Sequence, residues 1–351
     1  MGYSQMEWVD IVDENGCPTG KTVSREQAVR KNSVQNCIYE EELLMVKEAA
    51  EQGRDKPGSD EPEGKENPEQ GKGEPNGEGV KILLVVSFGT SVPETREKTI
   101  GAIERALAED FPDCTVRRAF TSGVIIRIVR RKEGLAIDSL DEALERAAAD
   151  GVGELIIQPT HLMYGYEYEK LCGAVELFRE QSGKKAVIGK PLLGDEADLE
   201  AVARAVAGAA RGESTVDLPP KTAFVFMGHG TDHPANIVYL QLQETMLRMG
   251  FRNCFVGTVE GFPEETEVHT VLRKVREAGY TDVVLRPLMV VAGDHALNDM
   301  AGDAPDSWKN LFGEVFGRDH VHCQMAGLGE LPEIRKLYSS HVERSQYDEN
   351  M

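Results

Sequence analysis

LLVVSFGTS, residues 83–91, and FVFMGHGTD, residues 224–232, are one pattern written twice. Each is an apolar run of strand length that ends in a turn of small residues, with Gly89 opposite Gly230. The stretches that follow repeat in the same order. AFTSG (119–123) faces TVEGF (258–262), with Thr121 opposite Glu260. LIIQPTHLMYGYE (155–167) faces VVLRPLMVVAGDH (283–295), with Pro159 opposite Pro287 and Gly165 opposite Gly293. The offsets drift from 141 to 139 to 128, as loops of unequal length require. KKAVIGKPLL (184–193) adds a fourth strand to the first half. Helical patterns run between the strands. SVPE from Ser91 reads as a capping box ahead of Ile100, Ile103 and Leu107, and IDSLDEALERAAAD (137–150) as another capped helix. The expected fold is α/β, with two pseudo-symmetric domains, each a four-stranded parallel sheet flanked by helices, facing across a cleft.

Ligands of open parallel sheets bind beyond the carboxyl ends of the strands. The second half places His229, Glu260 and His295 there, after its first, second and third strands, each beside or near a glycine. Glycine lets a backbone approach a ligand closely, so His229 between Gly228 and Gly230 reads as a side chain presented at an opened strand tip. Two imidazoles and a carboxylate suit a borderline divalent ion such as Co, Fe, Ni or Zn. His229 and Glu260 are the catalytic candidates, and all three are metal candidates. In the first half, Ser87, Thr90 and His161 sit at the equivalent ends as candidate substrate contacts, and His233 lies close behind His229.

The whole chain carries 39 basic and 60 acidic residues, a net charge of −21. That balance excludes nucleic acid as a main partner. No apolar run is long enough to span a membrane, and MGYSQMEWVDIVDENG has no basic-then-apolar leader pattern. The six cysteines are scattered without a CxxC pair, so the cytoplasm is the expected compartment. SFGTS lacks the lysine of a phosphate loop and there is no GxGxxG, so no nucleotide cofactor is expected. Residues 53–79 hold seven Gly, four Pro and no other apolar side chain, which predicts a disordered tether. The expected divisions are a fragment over 1–52, the tether over 53–79, halves over 80–218 and 219–330, and a C-terminal helix and tail over 331–351.

Two resemblances follow from these motifs. EWVDIVDENGCPTGKTVSREQAVRKN (7–32) reads as a hairpin around Glu14-Asn15-Gly16 and a helical piece, and resembles a truncated Nudix hydrolase N-terminus, without the acidic box that binds metal. YEEELL (39–44) has the acids but not the Gly, Arg or spacing. From about Lys81 to Val342 the chain resembles the anaerobic-type sirohydrochlorin cobaltochelatases, class II tetrapyrrole chelatases related to ferrochelatase. The likeness rests on LLVVSFGTS, RAFTSGVIIR, EYEK, VFMGHG, LRPLMVVAGDHALNDMAGD, DSWK and GLGE. It implies that His229, Glu260 and His295 handle the metal, and that Co²⁺ is inserted into sirohydrochlorin with release of two protons, early in anaerobic cobalamin synthesis. It implies no cofactor beyond the substrate ion, Co²⁺ or else Fe²⁺ or Ni²⁺. Histidine near its ordinary pKa of about 6.5 can serve as ligand or base. A carboxylate-rich macrocycle calls for a basic rim, for which Arg127, in RIVRRK (127–132), is the leading candidate and Arg286 the next. Sirohydrochlorin ferrochelatase, a non-catalytic metal or tetrapyrrole carrier, and a homo-oligomer all stay open.

Overall fold

The computed structural model describes residues 8–12, 18–24, 80–212 and 219–347. The chain divides into two units, Met1–Pro62 and Glu63–Met351. In the first, β1 (Trp8–Val12) and β2 (Pro18–Ser24) pair antiparallel, Val9 opposite Val23. The turn at Glu14-Asn15-Gly16, the helical piece after β2, YEEELL and the segment 53–79 lie outside the described residues.

The second unit holds two parallel sheets. The first has the order β5-β4-β3-β6-β7, from β3 (Lys81–Ser87), β4 (Thr115–Phe120), β5 (Asp138–Ser139), β6 (Glu154–Pro159) and β7 (Lys185–Ile188). The second has the order β11-β10-β8-β9, from β8 (Thr222–Gly228), β9 (Cys254–Thr258), β10 (Asp282–Pro287) and β11 (Val321–Cys323). The expectation of four strands in each half is corrected to five and four. The extra strand, β5, is two residues long and too short to show periodicity; it ends at Ser139, where the capping box with Glu142 starts a helix.

The ladders also give the true register of the repeat. Val86 pairs with Pro159 and Met227 with Pro287, so those prolines are counterparts. Ser87 pairs with Phe120 and Gly228 with Thr258. Phe120 therefore matches Thr258, and Ser122, not Thr121, stands opposite Glu260. The slip by one matters because successive strand residues face opposite sides.

Ten helices of six residues or more cover the sheets among the described residues: α1 (Pro93–Lys98), α2 (Ile100–Asp110), α3 (Gly123–Glu133), α4 (Leu140–Ala149), α5 (Tyr166–Ser182), α6 (Glu196–Gly212), α7 (Val238–Arg248), α8 (Val268–Glu277), α9 (Trp308–Phe316) and α10 (Pro332–Tyr347). Each central strand is buried on both faces, as parallel crossovers require. Ile82, Leu84 and Val86 pack with Leu144 of α4 and Leu171 and Val175 of α5. Leu83 and Val85 face a larger core that also contains Phe224 and Phe226 of β8, so one apolar cluster spans both halves. Ile334, Tyr338 and Val342 of α10 complete it, and α10 packs on α2, α6, β6 and β7 of the first half. The capping box expected at Ser91 is not formed. The cap position of α1 is Val92, which makes no side-chain cap, and its N–H instead donates to Thr90 Oγ1 at 3.2 Å. No helix among the described residues is long and apolar enough to cross a membrane.

Candidate active site

His229 follows the last residue of β8. The glycines on either side of it answer to packing on the protein side. A Cβ on Gly228 would lie 2.3 Å from the Tyr239 ring, and one on Gly230 would lie 2.8 Å from Glu260 Cβ. Gly230 also has φ +90°, a backbone state that favours glycine. The sequence reading gave these glycines to ligand approach; here they seat the turn against α7 and against the next turn. The result is still a presented imidazole.

The His229 and His295 rings meet edge to face, centroids 4.5 Å apart. His229 Nδ1–H donates to the Gly230 carbonyl at 2.8 Å, and His295 Nδ1–H donates to Asp299 Oδ2 at 2.6 Å. Both rings therefore carry a proton on Nδ1, which leaves Nε2 as the nitrogen a metal ion would take. Burial, and then the neighbouring His295, hold the pKa of His229 below the ordinary imidazole value, so it is neutral at pH 7. His295 opens a single π-helical turn, Ala296–Met300, which brings Asp299 back beneath its ring.

Glu260 is half-buried in the turn after β9, and its N–H donates to the His229 carbonyl at 3.0 Å. The backbone thus ties the two turns together. No three His, Cys, Asp or Glu side chains among the described residues are gathered as they would be round a metal ion. The two imidazoles are paired.

The first-half candidates divide sharply. Ser87 is buried and accepts a hydrogen bond from Thr160 Oγ1 at 2.9 Å. Thr90 is buried, with its hydroxyl taken by Val92 N–H. The His161 ring nitrogens are shut off from solvent with no hydrogen-bond partner in the structure, and burial lowers its pKa to about 4. Ser87 and Thr90 serve the interior. Arg127 alone is exposed, and its Nη1 comes within 3.5 Å of where a Cβ on Gly123 would lie, at the first turn of α3, which Ser122 caps. Arg130, Arg131 and Lys132 lie in the last turn of α3, away from that end. Arg286, the second rim candidate, is corrected outright. It lies on β10 with no exposed surface and donates to Gln324 Oε1 at 3.0 Å.

Sequence reasoning named His233 and Thr90 and missed Asp299, Glu169 and Tyr166. Asp299 was legible only through its spacing of four from His295. Across the cleft, His233 Nδ1 accepts from Ala235 N–H, so its Nε2–H donates to Glu169 Oε1 of α5 at 3.1 Å, and Tyr166 meets its ring edge on at 4.6 Å. Thr90 Oγ1 lies 3.9 Å from where a Cβ on Gly293 would stand, so the turn after β3 touches the loop leading to His295. Phe88, in that turn, is 46% exposed.

Comparison with known proteins covers the same span. The family described as "Cobalt chelatase (CbiK)" matches residues 81–346. A sirohydrochlorin cobaltochelatase of Salmonella typhimurium is 41% identical over 265 residues, 76% of this chain and 96% of that protein. A sirohydrochlorin cobaltochelatase, CbiKC, of Nitratidesulfovibrio vulgaris is 35% identical over 231 residues, 66% of this chain and 78% of that protein. The solved SirB from Bacillus subtilis with Fe³⁺ superposes with a TM-score of 0.56 at 12% identity, over 78% of this chain and 98% of that one. That last likeness concerns the fold alone. The Nudix-like reading of residues 7–32 finds no support among these matches.

Proposed function

Because the chain belongs to the cobalt chelatase (CbiK) family, we propose that it is a sirohydrochlorin cobaltochelatase, with the metal ion as a substrate and no resident cofactor. The observation that carries this reading is the His229–His295 pair at the ends of β8 and β10, with Nδ1 taken up by a hydrogen bond on both rings. A divalent ion must shed water and be held by exchangeable ligands before it enters the macrocycle. Two imidazoles do this without binding so tightly that the ion cannot leave. Glu260, one turn away and linked through its N–H to the His229 carbonyl, supplies negative charge against the ion and a site for a pyrrole proton. Asp299 holds the His295 tautomer. Arg127, at the cleft end of α3, pairs with a substrate carboxylate.

The test is anaerobic mixing of sirohydrochlorin with Co²⁺ and catalytic amounts of the chain, followed by absorbance. Many turnovers per chain are expected. Stoichiometric uptake with no released product would make the protein a carrier, and a faster rate with Fe²⁺ or Ni²⁺ would reassign the metal.

A further inference from the structure

We propose that Phe88 is a substrate-binding residue whose ring supports the flat face of the tetrapyrrole across from the histidine pair. This deepens the functional reading above and rests on it. Three observations lead here. First, Phe88 is the counterpart of His229. Val86 and Met227 hold the same ladder position against Pro159 and Pro287, which places residues 88 and 229 at the same point of their turns. Second, the neighbours of Phe88 do the structural work. Ser87 is buried and bonded to Thr160, and the Gly89 backbone closes on the Phe120 ring, where a Cβ would come within 2.6 Å. Phe88 itself leaves about half its surface to solvent. Third, its turn meets the His295 loop, since Thr90 approaches Gly293.

The exposed part of the Phe88 ring adds no burial to the fold, and covering it with an apolar partner is favourable. Against a macrocycle it offers an offset-stacked contact with one side of a broad π-system. The histidine pair then addresses the macrocycle from the other half. The half without metal-binding side chains thereby fixes the plane into which the ion is delivered.

The experiment compares Phe88→Ala, Phe88→Leu and Phe88→Tyr in the full chain. Steady-state KM and kcat for sirohydrochlorin with Co²⁺ are measured, along with binding of metal-free sirohydrochlorin and binding of Co²⁺ alone. Phe88→Ala is expected to raise KM and the dissociation constant for the macrocycle about tenfold. It should leave kcat within about twofold and Co²⁺ binding unchanged. Phe88→Tyr should stay near wild type, and Phe88→Leu, apolar but not flat, should fall between. Wild-type macrocycle affinity in Phe88→Ala overturns the proposal. Loss of Co²⁺ affinity in step with macrocycle affinity overturns it too, because Phe88 would then be a prop for the His295 loop. The binding arm needs no turnover, so a chain that binds sirohydrochlorin without metallating it sinks the chelatase reading while still deciding the role of Phe88.

Discussion

The turns after β3 and β8 share a backbone and share almost nothing else. Gly89 and Gly230 have φ of +102° and +90°, and both leave no room for a Cβ. Yet one turn reads Ser87-Phe88-Gly89 and the other Gly228-His229-Gly230. Serine is allowed at 87 because its hydroxyl finds Thr160, whereas Tyr239 presses on Gly228 and excludes any side chain. One turn later, Ser122 spends its hydroxyl capping α3, while its counterpart Glu260 starts no helix. The comparison teaches that the repeat conserves the glycine needed to turn the chain, and leaves the exposed position beside it open to specialise.

The deepest way to break this comparison is to exchange the specialised positions. His229→Ala should cut Co²⁺ insertion by more than the roughly 10–100-fold lost with an outer-shell partner. The double exchange Phe88→His with His229→Phe should stay equally inactive, since the first half has Glu167 where the second has His295. Recovery of turnover in the exchanged protein would show that the halves are functionally interchangeable. The conserved glycine comes next. Gly230→Ala should destabilise the chain by roughly 2–4 kcal/mol, from a strained dihedral and a clash with Glu260. Gly134→Ala, at φ +66° with nothing within 4 Å, should cost only about 1 kcal/mol. Equal midpoints in urea for the two variants would remove the packing argument.

A smaller effect separates His161 from the cleft histidines. Its folded pKa of about 4 lies below the unfolded value of about 6.5. The unfolded chain therefore gains a proton first as pH falls, and stability drops between pH 6.5 and 4. His161→Phe should reduce the stability difference between pH 7 and pH 4.5 by about 2 kcal/mol. An unchanged pH slope in urea titrations would mean that the imidazole is hydrated. Smallest of all, Arg127→Ala should raise KM for sirohydrochlorin a few-fold with kcat preserved. Salt should erode the difference, because screening acts over about 8 Å at physiological ionic strength. A KM equal to wild type at low salt would remove Arg127 from the rim.

The repeat, the parallel sheets apart from β5, and the histidine pair were legible because apolar runs and glycine turns are local signals. What stayed hidden depends on distant neighbours. Nothing near Arg286 in the sequence says that β10 is a central strand and would bury it. Ser87 and Thr90 look like ligand contacts until the partners that take their hydroxyls are known. The one-residue slip at Glu260 comes from matching AFTSG to TVEGF end to end; matching Gly123 to Gly261 instead gives the ladder register, as the prolines at 159 and 287 do for their strands.

The path of α10 bears on how the chain is made. Ile334, Tyr338 and Val342 seal a core whose other walls include Leu83, Val85 and Ile156. The first half leaves the ribosome before the second, and yet its outer wall is translated after every strand of both sheets. That half waits, with apolar surface uncovered, until the second half has been synthesised and the chain has crossed back over it. A nascent chain stalled after β11 would hold every strand of both sheets and still lack the helix that closes them.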